Sequence, residues 1–445
     1  MLNGDSFLIF TVMINLLYDN LDLDASILNA HKSNGVSAHK GIEHYLTNYS
    51  IPFRTVDISK PLDSERITLY PVEPQSVFNI MNPDKPGFMD TVSNKAIEHI
   101  KSTENKCFLL IWFPTEGFCM SLFDNMIPRY IDLIHTKYNI PRNKILFVYG
   151  DINIKNSAKF TKLYNFIPER NVFGLNIFEH VSVGDFSSQK RPSYQELLFR
   201  KESKRDRKKL FLFKNGVVRP HRMFLITALN KLGLLDKGYY SWINHTGIKL
   251  EEEDYKRVFW HYYEDEEERD SHIKEYKECI EAQTPIILDK LPTELSDRSN
   301  QITLDNSYIK DSYFTLVTET VVDNENFGIQ FFSEKTYQPI HTLHPFILYS
   351  SSGSLEYLRN LGYATFPELF NEEYDKITNE AKRGRFIVNE IKRLNSLDRN
   401  KLNSITNSDY MIDKLTHNQN LVETQPARNG YYQLMNWFES IYLRN

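Results

Sequence analysis

At 445 residues, 41% hydrophobic and 25% charged, the chain is long enough for two globular domains. A formal net charge of −5 excludes a general nucleic-acid coat, though it is compatible with a local basic groove. Cys107, Cys119 and Cys279 are too few and too scattered for a disulfide framework or a zinc cluster, which points to a reducing compartment.

The apolar opening, residues 7–17, is too short to span a bilayer and has no basic residues before it. It reads as a buried first strand, so no membrane partner and a cytoplasmic location are expected. Residues 36–48 have helix-like polarity, and 53–58 read as a short strand. Residues 61–86 hold five prolines and little periodicity, which predicts irregular surface structure. Residues 90–101 form an amphipathic pattern with Val92, Ala96 and Ile97 inward. The run CFLLIWF, 107–113, is continuously apolar, like strands buried on both faces of a parallel sheet. It leads directly into Pro114, Thr115, Glu116 and Gly117. Residues 126–138 read as a helix. KILFV, 144–148, is a second buried strand, ending near Asp151, and 171–178 a further one. Strands alternating with helices at this spacing imply a parallel α/β domain over 1–205.

The run from Arg200 to Lys209, RKESKRDRKK, has seven basic residues in ten and marks the junction with a second domain, 206–415. It reads either as a solvated face or as a phosphate-tracking edge for double-stranded DNA or for a donor. A strand at 210–213 leads into Lys214, Asn215, Gly216, Val217, Val218 and Arg219. Pro220 then suits the first turn of a helix, because its missing N–H has no partner to lose there. Phe224, Leu225, Leu229 and Leu232 recur at helical spacing, with Lys237-Gly238 as the stop. Arg219, His221 and Arg222 therefore stand at a helix N-terminus, where positive charge opposes the dipole. An anion among them would resolve the conflict. Alternatively, Arg222 pairs with a carboxylate and His221 is a satisfied core histidine.

The acidic stretch 251–270, interrupted by WHYY, reads as a solvated helix or lid and not as a metal site. A helix over 268–282 and a strand over 285–288 follow. In SEKTYQPIHTLHPFILYSSSGS, 333–354, Ser333 can cap a helix beginning Glu334, Lys335 and Thr336. A carboxylate and an ammonium then stand beside free backbone N–H groups, as an anion site or as ordinary solvated helix-start residues. Residues 345–350 read as a buried strand, and 354–361 as a helix closed by Gly362. This is a doubly wound rhythm, in which ligands collect at the carboxyl ends of strands. Residues 375–397 and 431–442 read as helices. The sequence contains no internal repeat, Walker loop, GxGxxG or CxxC pair.

The segment 313–366, with FTLVTET, FFSEKTYQPI and HPFILYSSSGSLEYLRNLGYATF, resembles the donor-binding half of fucosyltransferase-type glycosyltransferases of the GT-B fold. It is still more similar to a group of glycosyltransferase-like proteins from tailed phages, which share the RPHR of residues 219–222. The likeness covers the last half of the chain and departs from the fucosyltransferases in the insert 321–330. It implies an α/β protein of GT-B architecture, with two Rossmann-like domains whose parallel sheets face each other across a cleft, and a helix in 416–445 crossing back to the first.

The same resemblance implies transfer of a hexose or pentose from a UDP- or GDP-linked sugar to an acceptor hydroxyl, inverting, with no metal and no bound cofactor. Its donor-binding residues would be Lys214, Asn215, Arg219, His221, Arg222, Glu319, Ser333, Glu334, Lys335 and Thr336. Lys335 and Arg219 would contact the diphosphate, and Glu319 and Glu334 would hold ribose or sugar hydroxyls. Position at the carboxyl end of a strand makes Glu116 the expected base, with Asp151 in reserve; either serves equally as a helix cap. The expected acceptor is a hydroxymethylated base in phage DNA, with a saccharide or protein as alternatives. Richness in Asn, Ile and Lys is associated with AT-rich genomes such as those of phages. A reading from another class is a non-catalytic phage protein retaining a sugar-nucleotide fold.

Overall fold

The structure, a computed structural model, describes residues 13–18, 42–43, 46–47, 51–72, 94–104, 106–113, 126–151, 153–154, 165–176, 179, 192–203, 206–244, 250–288, 306–322, 329–424 and 428–442. By contacts, Met1–Ile177 with Ala427–Asn445 forms one compact unit and Phe178–Pro426 the other. The division thus falls after Ile177 and not after residue 205, because the helix Tyr194–Ser203 packs with the second unit.

The first unit is built on six parallel strands, β1 (Ile14–Tyr18), β2 (Phe53–Asp57), β3 (Thr68–Val72), β4 (Cys107–Phe113), β5 (Ile145–Tyr149) and β6 (Val172–Gly174), in the order β2-β1-β3-β4-β5-β6. β4 is buried along its whole length, as its apolar run requires. β3 lies inside the proline-rich stretch expected to be irregular. The sheet tolerates Pro71 because of the way the ladder alternates. The N–H of Thr68 donates to Lys106 O (2.9 Å), and Asn15 N–H donates to Ile67 O (2.9 Å). Position 71 therefore turns its missing donor toward β1, whose pairing with β3 ends at Leu69.

Residues two apart along the strands, such as Ile14 and Leu16, Leu110 and Trp112, and Leu146 and Val148, join one core cluster. Leu434, Met435, Trp437 and Phe438 of the last helix, Arg428–Tyr442, complete it. The Trp437 indole lies edge-on to Phe108 at 5.0 Å, and its N–H donates to Asn171 Oδ1 (3.1 Å). The preceding helix, Asp409–Thr424, belongs to the second unit, so the chain changes units after Pro426 and not at residue 416.

The second unit carries β7 (Lys209–Asn215), β8 (Gly238–Trp242), β9 (Ser312–Thr318) and β10 (Phe346–Tyr349), all parallel, in the order β10-β9-β7-β8. β8 was not anticipated. The helix Pro220–Lys231 stops at Gly233, which takes the left-handed conformation (φ 63°) that only glycine adopts cheaply. Gly238 instead opens a strand. The expected strand at 285–288 is reduced to an antiparallel bridge between Trp242 and Ile286. The WHYY segment is not a lid, for Tyr262 and Tyr263 are buried and Tyr262 stacks on Phe224 at 4.7 Å.

From β7 the chain crosses to β8 on one side, and from β9 it crosses to β10 on the other. Right-handed crossovers then place the helices Pro220–Lys231 and Glu334–His341 on opposite faces of the sheet. Both helices begin at the carboxyl edge, and β7 and β9 flank the point where strand order reverses. Among the described residues no helix is long and apolar enough to cross a membrane.

Candidate functional site

Asn215 and Thr318 end β7 and β9 and meet at the reversal point. Thr318 Oγ1 donates to Asn215 Oδ1 (2.8 Å), and Asn215 N–H donates to Ser241 Oγ (3.3 Å). Asn215 is buried, and its Nδ2 has no hydrogen-bond partner among the described residues. Lys214 precedes it, half-buried.

The loop beyond β7 enters its helix through Arg219, an extended N-cap residue (φ −144°, ψ 150°) that makes no side-chain cap bond, followed by Pro220. Arg222 is 1% exposed and donates to three carbonyls, Val217 O (3.1 Å), Thr318 O (3.0 Å) and Glu319 O (3.1 Å). It clamps the loop to the end of β9. Burial, reinforced by Arg219, lowers its pKa to about 9, against the opposing pull of Glu319 and Glu334. His221 Nε2 lies 2.9 Å from the Glu319 carbonyl, which can only accept, so this nitrogen carries the proton. Burial, with Arg222 and Arg219 nearby, pushes the His221 pKa well down and keeps the ring neutral. His221 is thus a satisfied core histidine, and Arg222 is bound by carbonyls and not by a carboxylate.

Glu319, expected to hold ligand hydroxyls, is engaged within the fold. Its Oε1 accepts from Ser333 N–H (3.0 Å) and Thr336 Oγ1, and its Oε2 accepts from Ser333 Oγ (2.7 Å) and Thr320 N–H (3.0 Å). With both oxygens engaged and the residue fully buried, it is the resident anion of the helix Glu334–His341. Ser333 and Thr336 are spent on it as well. The anion site expected at this helix start is filled from inside the fold.

Glu334 and Lys335 remain partly exposed, at 24% and 30% of their side chains, and form an ion pair. Lys335 Nζ also approaches Ser333 Oγ at 3.4 Å. Burial pushes the Glu334 carboxyl up, but Lys335, the residue's own N–H and Arg222 more than offset this and leave it below its ordinary value.

Residue 319 consequently joins two helix starts. His221 and Arg222 hold its carbonyl, while Ser333 and Thr336 hold its carboxylate. Arg219, Arg222 and Lys335 share this region with Glu319 and Glu334. The sequence reading missed Thr318, Ser241 and Tyr349, which lies edge-on to His221 at 5.7 Å. Only their positions at strand ends could have signalled them.

Of the expected bases, Glu116 lies outside the described residues. Asp151 is buried just after β5 and accepts from Asn153 N–H (2.9 Å), which is a capping role. Of the basic run, Lys204 and Arg205 lie outside the described residues, and Lys201, Arg207, Lys208 and Lys209 engage groups of their own unit. Arg207 donates to Thr406 Oγ1 (2.6 Å) and Asn407 Oδ1 (3.0 Å) and covers the Tyr313 ring. Lys201 pairs with Asp409, Lys208 with Asp311, and Lys209 donates to Asp236 O. Like charges this dense repel unless compensated, and of the described members Lys201 and Lys208 are paired with carboxylates of their own unit. Among the described residues no three His, Cys, Asp or Glu side chains gather as a metal site.

No family model matches the chain, and no curated protein matches it. Among solved structures it is similar to a trehalose-6-phosphate synthase, OtsA, at 12% identity and TM-score 0.39, over 95% of this chain and 82% of that one. It is also similar to the α,α-trehalose 6-phosphate synthase of Burkholderia multivorans, at 9% identity and TM-score 0.40, over 93% and 80%. Likenesses this distant assign no function.

Proposed function

We propose that the chain is a glycosyltransferase of the GT-B type whose second unit binds the diphosphate of a UDP- or GDP-linked sugar at the carboxyl ends of β7 and β9. The observation carrying this reading is the joint at Glu319, where two helix starts from opposite faces of one sheet meet beside Arg219, Arg222 and Lys335. Lys335 and Arg219 contact the phosphates. Arg222, buried behind them, raises the local potential, and the Asn215 amide offers a further donor. In such a low-dielectric setting these charges stabilise the departing diphosphate. Glu334, next to Lys335, accepts from the vicinal hydroxyls of ribose.

For an inverting transfer the base is Glu116 or Asp151, each following an apolar strand in the sequence. The acceptor hydroxyl belongs to a saccharide or protein, a reading favoured by the engagement of Lys201, Arg207 and Lys208 with groups of their own unit. The test is a thermal-shift panel of nucleoside diphosphates on the full chain. Stabilisation by UDP or GDP, about 2.7 kcal/mol at a hundredfold excess over Kd, is expected. No response to any nucleoside diphosphate would overturn the reading.

A further inference from the structure

Two carboxylates balance the cations of the site, and they are held in different ways. Glu319 is locked by four protein donors and fully buried. Glu334 has, among the described residues, only its partly exposed ion pair with Lys335, the pull of Arg222 and its own N–H. Arg222 in turn is buried, forms no ion pair among the described residues, and keeps an Nε without a hydrogen-bond partner there. A buried guanidinium served only by carbonyls needs nearby negative charge, and among the described residues Glu334 supplies it from a partly exposed side chain.

We infer that Glu334 is an exchangeable counter-ion, occupying the field of Lys335 and Arg222 until the anionic part of the ligand takes its place. This inference rests on the diphosphate site proposed above and adds a selection rule to it. A singly charged oxyanion only replaces one negative charge with another and gains little. A diphosphate brings more charge than Glu334 supplies, so the exchange favours it. Once displaced, the carboxylate is free to meet the rest of the ligand.

The inference is tested by calorimetric titration of the full chain with inorganic pyrophosphate and with nitrate, a singly charged oxyanion, comparing wild type with Glu334→Gln and Glu334→Ala. Pyrophosphate has no ribose, so any contact of Glu334 with a diol drops out. Removing the competing charge should tighten pyrophosphate by ~10-fold in both variants. Nitrate, which only exchanges one negative charge for another, should bind wild type too weakly to measure and gain detectable affinity only in the variants. Unchanged or weaker pyrophosphate binding in the variants, with wild type binding normally, overturns the counter-ion role and leaves the diphosphate site standing. If wild type binds neither pyrophosphate nor any nucleoside diphosphate, the site and the inference fall together.

Discussion

Replacing Glu319 by glutamine changes one atom and should still loosen the start of the helix Glu334–His341. The carboxylate receives four donors, of which the N–H groups of Ser333 and Thr320 cannot reorient. In the variant the amide oxygen can serve one side, but the amide nitrogen must face either Ser333 N–H or Thr320 N–H. One charge-assisted bond becomes a donor–donor contact, and the rest lose their charge. Charge-assisted bonds contribute ~1.5–3 kcal/mol each, and an unsatisfied buried donor costs ~1–3 kcal/mol, so the loss should be ~3–5 kcal/mol. Glu319→Ala should lose at least as much. Amide hydrogen exchange of residues 333–341 reads the effect at the element concerned, with denaturant unfolding as a control on the whole chain. A loss below ~1 kcal/mol in both variants, with unchanged exchange there, would refute Glu319 as the joint between the helix starts.

Gly384→Ala should destabilise the second unit by ~1–3 kcal/mol despite alanine's better helix propensity, as read by denaturant unfolding. A Cβ at 384 would lie 2.6 Å from the Tyr349 hydroxyl and 2.7 Å from the Phe224 ring, so the helix Glu380–Asn395 must move away. Trp437→Ala should cost ~3–5 kcal/mol and expose the first unit's core, measured by unfolding and by exchange of the β4 and β5 amides. His344 donates from Nε2 to Ser312 O (3.0 Å) and accepts from Thr315 Oγ1 (2.8 Å), and burial holds its pKa down to about 3. The unfolded chain takes up this proton below ~6.5 and the folded chain does not, so stability present above ~6.5 falls toward pH 3. Stability measured against pH should therefore fall less steeply between pH 6.5 and 4 in His344→Gln than in wild type.

The buried strands were legible because apolar runs of this length, CFLLIWF above all, suit strands covered on both faces. β3 was not, since Pro71 argues against a strand until the neighbouring strand's length is known. The WHYY segment likewise hid its buried tyrosines behind acidic neighbours. At the site, sequence order placed Arg219, His221 and Arg222 at one helix start and Ser333, Glu334 and Lys335 at another. It could not show how these groups are paired. The bonds from Glu319 to Ser333 and Thr336 close across a chain reversal, and those of Arg222 span two strands. Hence the mutual bonds of Glu319, Ser333 and Thr336 could not be read from their order. The partners of the basic run were hidden for the same reason, because Thr406, Asn407 and Asp409 lie far along the chain.

The most direct test of the diphosphate site is the Kd of UDP and of GDP for the full chain, measured by calorimetry for wild type, Lys335→Gln and Arg219→Gln. One nucleotide should bind to the wild type, and either substitution should weaken it by ~10-fold or more while leaving the unfolding midpoint nearly unchanged. Equal affinity in all three proteins would contradict a site built on these two cations.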